Sequence, residues 1–139
     1  MLSLEAECVA QIGLVAGGYN QDWNHDDVLL SSTELYSLSS ADDCDHPLPD
    51  LPVARRGMVG GWAGGQAVVC GGEDGQGVIW SDCFTYDITD NVWLYLTNLQ
   101  LERSYAAAEV INGCLYVSGG ITNEGPTDSV ENISGQCFI

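Results

Sequence analysis

The chain has 139 residues and a formal charge of −17, with twenty carboxylates against three arginines and no lysine. Such a field repels phosphate and anionic lipid at neutral pH, which excludes DNA, RNA and membrane surfaces bound by counterion release. No apolar run approaches the ~18 residues a membrane helix needs, and the length suffices for one ordinary domain.

The N-terminal stretch MLSLEAECVA (1–10) lacks the basic start of a signal peptide, carries two acidic residues and reads as an incomplete first strand. GLVAGG (13–18) is an apolar run closed by Gly17 and Gly18, and the polar loop YNQDWNHDD (19–27) holds Tyr19, Asp22, Trp23, Asp26 and Asp27. STELYSLSSADDC (32–44) places Tyr36 in a strand and runs into the loop SSADDCDHPLPD (39–50). After LPVAR (51–55), QAVVCGG (66–72) ends in a second pair, Gly71 and Gly72, with Glu73, Asp74, Trp80 and Asp82 behind it. FTYDITDNVW (84–93) is a strand with Tyr86, an Asp/Thr/Asn turn and then Trp93. LQLER (99–103) matches LPVAR, SYAAAEVI (104–111) is rich in small residues, and NGCLYVSGG (112–120) turns, runs apolar and ends in Gly119 and Gly120. TNEGPTD (122–128) supplies Glu124 and Asp128, DSVENI (128–133) begins another strand, and SGQCFI (134–139) follows.

The three glycine pairs stand 54 and 48 residues apart, and from Arg55 and from Arg103 it is 16 residues to the first glycine of the following pair. A period of this size marks solenoids and propellers. Each unit offers four short strands joined by Asn-Gly, Gly-rich and Asp/Asn turns, which is antiparallel hairpin chemistry. A four-stranded sheet per repeat is a propeller blade. The paired glycines fit the points where backbone comes close or takes positive φ as a strand leaves the sheet.

RSYAAAEVINGCLYVSGG followed by DCFTYDITDNVW resembles the kelch repeat: a basic residue before a small-residue strand, an apolar run with Tyr before Gly-Gly, and a later Tyr and Trp. The resemblance implies an all-β fold of antiparallel four-stranded kelch-type blades, with repeats over 1–51 (incomplete at its start), 52–100 and 101–139 (truncated). Val69 stands where the family often has Tyr, and Cys44 lies one residue beyond the slot that Trp93 defines. Propellers generally have four to eight blades, so two and a half repeats make an incomplete β-propeller. The remaining blades come from a larger parent protein or from self-assembly of short chains, and the abrupt tail favours the parent.

Kelch resemblance implies a protein-interaction module whose loop faces bind a partner protein or peptide, and it leaves open a substrate-recruiting role of the kind many relatives have in ubiquitin ligases. The candidate binding loops carry Tyr19, Asp22, Trp23, Asp26, Asp27, Glu73, Asp74, Trp80, Asp82, Glu124 and Asp128. Their acidity suits a partner with a basic stretch, against the plainer reading that it maintains solubility. Gly17, Gly18, Gly71, Gly72, Gly119, Gly120, Tyr36, Tyr86 and Trp93 are expected to be structural. Asp22, Asn24 and Asp26 have the spacing that opens a calcium loop, but Asp27 and Thr33 occupy the positions that need Gly and Glu, so no metal is expected. His25 and His46 lie in different loop types with no nucleophile beside them, Asp42 and Asp43 point in different directions, and the copper set of galactose oxidase, a kelch-type enzyme, maps onto no residues here. The expectation is a non-enzymatic module with no cofactor. The alternatives are an extracellular disulfide-stabilised kelch protein with a structural or adhesive role and, more distantly, an oxidase fragment.

Six cysteines are many for a cytosolic propeller. Cys114 takes an apolar slot and reads as a buried free thiol. Cys70 ends one strand and Cys83 begins the next, so antiparallel pairing sets them face to face at about the 5.5 Å Cα separation that a disulfide accepts. That bridge leans the parent towards the outside of the cell, while Cys8, Cys44 and Cys137 stay unassigned.

Overall fold

The computed structural model of the chain describes residues 12–16, 18–21, 27–31, 33–37, 48–87 and 89–133. Within them lie thirteen antiparallel strands and no helix. The first unit contributes β1 (Ile12–Ala16) paired with β4 (Thr33–Ser37), and between them the small hairpin β2 (Tyr19–Gln21) with β3 (Asp27–Leu29). The second unit is a complete four-stranded meander, β5 (Val59–Ala63), β6 (Gln66–Cys70), β7 (Asp82–Asp87) and β8 (Val92–Asn98), in that spatial order. In the third, β9 (Ala107–Ile111), β10 (Cys114–Ser118) and β13 (Val130–Asn132) form a sheet, with the hairpin β11 (Ile121–Thr122) and β12 (Gly125–Pro126) inserted after the glycine pair. Sequence pattern locates the strands of the blades but not these inserted hairpins, whose two- and three-residue strands are too short to show an alternation.

Local chemistry accounts for the hairpins. β9 and β10 are joined by Asn112 and Gly113, with φ of 52° and 78°, the all-positive turn that matches strand twist. Strand alternation then decides packing. Ala67 and Val69 of β6 join Leu51, Phe84 and Trp93 in one cluster, whereas Val68 and Cys70 join Cys83, Leu115, Val117 and Ile133 in another. β6 is therefore buried on both faces, as a blade between two neighbours must be, and its sequence is an unbroken apolar run rather than an alternating one. Trp93 anchors the outer strand, its indole Nε1 donating to Pro49 O at 3.1 Å, and Tyr86 packs against it with ring centroids 5.7 Å apart.

The glycine pairs are the joints between units. Gly18 N donates to Arg55 O at 2.9 Å and, one unit on, Gly72 N donates to Arg103 O at 3.0 Å. Gly72 has φ of 92°, and a Cβ there would meet Met58 Cγ at 2.7 Å and Arg56 O at 3.0 Å. Gly120, with φ of 91°, would meet Ser104 O at 2.6 Å. No side chain fits where the end of one strand touches the entry to another. A second link repeats as well, since Leu51 N donates to Ser31 O and Leu99 N to Ser81 O, each at 2.7 Å. Gly17 lies outside the described residues. Tyr36 is paired with Gly13 in the β1–β4 ladder.

Cys70 and Cys83 are register partners on β6 and β7 and are joined by a disulfide. Their Cα atoms are 4.1 Å apart, closer than the expected 5.5 Å and nearer the spacing of a non-hydrogen-bonded antiparallel pair. Cys114 corrects the sequence reading: it too is disulfide-bonded, and none of the described cysteines is a free thiol. Burial does not separate the two states, because a half-cystine occupies an apolar slot as readily as a thiol does. Cys8, Cys44 and Cys137 lie outside the described residues.

Candidate interaction face

The connection from β6 to β7 holds Glu73, Asp74, Trp80 and Asp82 together, and two arginines organise it. The guanidinium of Arg55 is buried; it donates to Gly71 O at 3.2 Å, forms a two-point ion pair with Asp82 whose Nη2–Oδ2 arm is 3.0 Å, and lies over the Trp80 ring at 5.0 Å. Arg56 pairs with Glu73 at 3.2 Å, and the two residues also form an antiparallel bridge. Asp74 closes the loop on itself: Oδ2 accepts from Trp80 Nε1 at 2.8 Å, and Oδ1 accepts from Gln76 N at 2.8 Å and Val78 N at 3.0 Å. The indole hydrogen bond first, then those two backbone donors, hold its carboxyl below the ordinary aspartate value.

Neighbouring loops are stitched side by side. Asn123 in the β11–β12 turn accepts from Ile79 N at 3.1 Å and donates through Nδ2 to Ile79 O at 3.1 Å, so its side chain substitutes for a strand partner. Leu29 of β3 stands beside Gly75, 3.7 Å from where a Cβ would be. Glu124 and Asp128 are exposed in the third unit's connection. Tyr19 and Asp27 fall at the ends of the β2–β3 hairpin, paired with Leu29 and Gln21. Asp22, Trp23 and Asp26 lie outside the described residues, as do Asn24, His25 and His46. Among the described residues there is no cluster of three or more metal-ligating side chains.

Asp82 and Glu73, candidates on sequence grounds, are thus ion-paired within the fold, while Glu124 and Asp128 are presented to solvent. Arg103 repeats the arrangement of Arg55 in the third unit: Nη1 donates to Gly119 O and Ser129 O, each at 3.0 Å, and Nη2 to Ser129 Oγ at 2.9 Å and Glu131 Oε2 at 2.7 Å. Glu131 also receives the backbone N–H groups of Gln100 and Leu101 at 2.6 and 3.2 Å. These clamps are absent from the sequence-derived set, yet the equal 16-residue spacing from arginine to glycine is their signal, since the arginine reaches the carbonyl of that very glycine. All three arginines of the chain are in ion pairs, and among the described residues Glu124 and Asp128 are exposed and belong to none of these pairs.

A family model for the Kelch motif matches residues 102–134. F-box/kelch-repeat protein At1g67480 of Arabidopsis thaliana is 30% identical over 95 residues, covering 68% of this chain and 25% of that protein. F-box/kelch-repeat protein At2g29600 of the same plant is 49% identical over 39 residues, 28% of this chain and 9% of that protein. The chain thus spans a quarter or less of these relatives. The solved structure of YjhT superimposes with a TM-score of 0.60 over 78% of this chain and 35% of its own, at 20% identity, a likeness of fold.

Proposed function

Because this is a kelch-repeat chain folded as blades of an incomplete β-propeller, we propose that it is a protein-interaction module that receives a partner on the face built from the connections after its glycine pairs. The observation that carries the reading is the junction of Asn123 with Ile79, which joins the loops of two units into one surface beside carboxylates that no arginine neutralises. The F-box/kelch-repeat names of the relatives support a recruiting role within a longer protein. The partner class is a protein or peptide with a basic stretch, attracted through the acidic field. No enzymatic activity is part of the proposal, and copper-dependent oxidation of a sugar alcohol by the full-length protein would overturn that.

Asp82 is unsuited to testing this, because removing it unpairs a buried arginine. Glu124→Gln with Asp128→Asn is the cleaner change. In the full-length protein it is expected to slow association with a lysine- and arginine-rich peptide and to flatten its salt dependence. An unchanged on-rate and salt slope would assign the acidity to solubility alone.

A second reading, an extracellular kelch protein, is favoured by one observation: Cys70, Cys83 and Cys114 are all disulfide-bonded, and cytosolic thiol buffers keep such pairs reduced. Alkylation of native protein decides it, since thiols that label at these positions would place the protein in a reducing compartment.

A further inference from the structure

Three separate stretches of chain meet on the loop face. Arg103 N donates to Trp80 O at 3.3 Å, Ser104 and Ile121 exchange two backbone hydrogen bonds of 2.9 Å, and Asn123 holds Ile79. Residues 78–80, 103–105 and 121–123 are thereby locked into one ledge across the second and third units. Besides Asn123, what the ledge exposes is apolar: Val78, Trp80, Tyr105 and Ile121 keep 41, 42, 53 and 45% of their surface in solvent. Large side chains gathered on a rigid surface mark interaction sites in a way that scattered ones do not.

Two of the four are held in place before any partner arrives. The Trp80 indole is fixed by Asp74 on its edge and Arg55 over its face. Tyr105 has φ of 53°, a conformation bulky residues avoid, with its N–H donating to Gly57 O at 2.9 Å and its ring above Gly57. Rigid aromatics bind with little loss of conformational freedom. The connections that build the ledge also carry exposed Glu124 and Asp128 and half-buried Asp74 and Glu102, while every arginine of the chain is already paired.

We infer that this ledge is the docking strip for a peptide that presents an aromatic or branched aliphatic anchor between lysine or arginine residues. The inference rests on the loop-face reading above and specifies its partner. The apolar anchor covers Val78, Tyr105 and Ile121 against the Trp80 ring, and the flanking cations meet the acidic rim. A phosphorylated or acidic peptide is repelled by the same rim.

The test uses the full-length protein and three synthetic peptides: one with tryptophan between arginine pairs, one with that tryptophan replaced by serine, and one with the arginines replaced by glutamine. The protein variants are Val78→Ser/Tyr105→Asn/Ile121→Ser, in which asparagine tolerates the left-handed backbone at 105, and Glu124→Gln/Asp128→Asn. Loss of the tryptophan, and separately the ledge variant, are each expected to weaken binding about tenfold or more, with the melting temperature of the ledge variant retained. The rim variant is expected to slow association. If the ledge variant binds the tryptophan peptide as tightly as the parent, the ledge is not the site; if the rim variant also behaves as the parent, the loop-face reading falls with it. Equal binding of the serine peptide, or no binding of the tryptophan peptide at all, overturns the anchor. Should the ledge variant lose its cooperative melt, Val78→Ser alone, which changes no hydrogen-bonded side chain, carries the same comparison.

Discussion

The second and third units each hold their glycine pair with a buried arginine, yet they complete the joint with different chemistry. Arg55 uses the carboxylate of Asp82, at the start of β7, and the face of Trp80. Arg103 uses the carbonyl and hydroxyl of Ser129 and reaches further along its strand to Glu131. Asp82 and Ser129 are equivalent positions, since their carbonyls accept from Gly71 N and Gly119 N, each at 3.0 Å. The second unit adds the Cys70–Cys83 bridge at the pairing where the third has Ser118 and Val130. What repeats is the geometry of a cation beneath a glycine carbonyl, and the counter-charge can sit wherever the strand brings a carboxylate within reach.

This contrast sets an order of expected effects. Arg103→Met is the most damaging change, because it leaves the carboxylate of Glu131, only 9% exposed at its side chain, with two backbone N–H groups but no cation, at a cost of about 3 kcal/mol or more. Arg55→Met is milder, about 2 kcal/mol, because Asp82 keeps 22% exposure and can rehydrate. Urea unfolding of the two full-length variants compares them, and equal losses would mean that solvent access to the carboxylate does not govern the clamp.

Cys70→Ala with Cys83→Ala is expected to cost about 3 kcal/mol through the freedom regained by the unfolded chain, with hydrogen exchange rising in β6 and β7 more than in β9 and β10. Uniform loss of protection would show the blades to be one cooperative unit. Among the joints, Gly120→Ala and Gly72→Ala drive a Cβ into neighbouring atoms, whereas Gly18→Ala meets nothing within 4 Å. Gly18→Ala should cost only the left-handed strain of about 1–2 kcal/mol, and the other two roughly 1–3 kcal/mol beyond it. Thermal melts that rank the three alike would assign the pairs to backbone conformation alone.

The smallest effect belongs to Asp74. Its carboxyl titrates below the ordinary value in the folded loop, so the loop's stabilisation is present above the unfolded aspartate value of 3.8 and is lost as pH falls through the lower folded value. Trp80 fluorescence should report that loosening on acidification, and Asp74→Asn should remove the titration. A transition that persists in Asp74→Asn would point to another group.

Much of the architecture was legible because it is local. Asn112-Gly113 specifies its own hairpin, the run AVVC announces a strand buried on both sides, and three glycine pairs in step announce repeated joints. The candidate face was legible only as a set of loops. That Glu73 and Asp82 are turned inward to arginines while Glu124 and Asp128 remain exposed depends on Arg55 and Arg56, which enter from the preceding connection. Tyr105 and Ile121 gave no signal at all, because an aromatic and an aliphatic residue beside strands read as core.

By itself, the sequence determined the blade: strand period, turn chemistry, glycine placement and the partnership of Cys70 with Cys83 are all set by residues close in the chain, where hairpin geometry leaves few choices. Only the tertiary structure decided which charges are joints and which are surface, that Cys114 is bridged, and that residues 78–80, 103–105 and 121–123 share a ledge. The physical reason is distance along the chain. Whether a carboxylate, a thiol or an aromatic ring is buried, bonded or exposed is fixed by what another segment, some 20 to 45 residues away, places against it, and no periodicity in the sequence records that meeting.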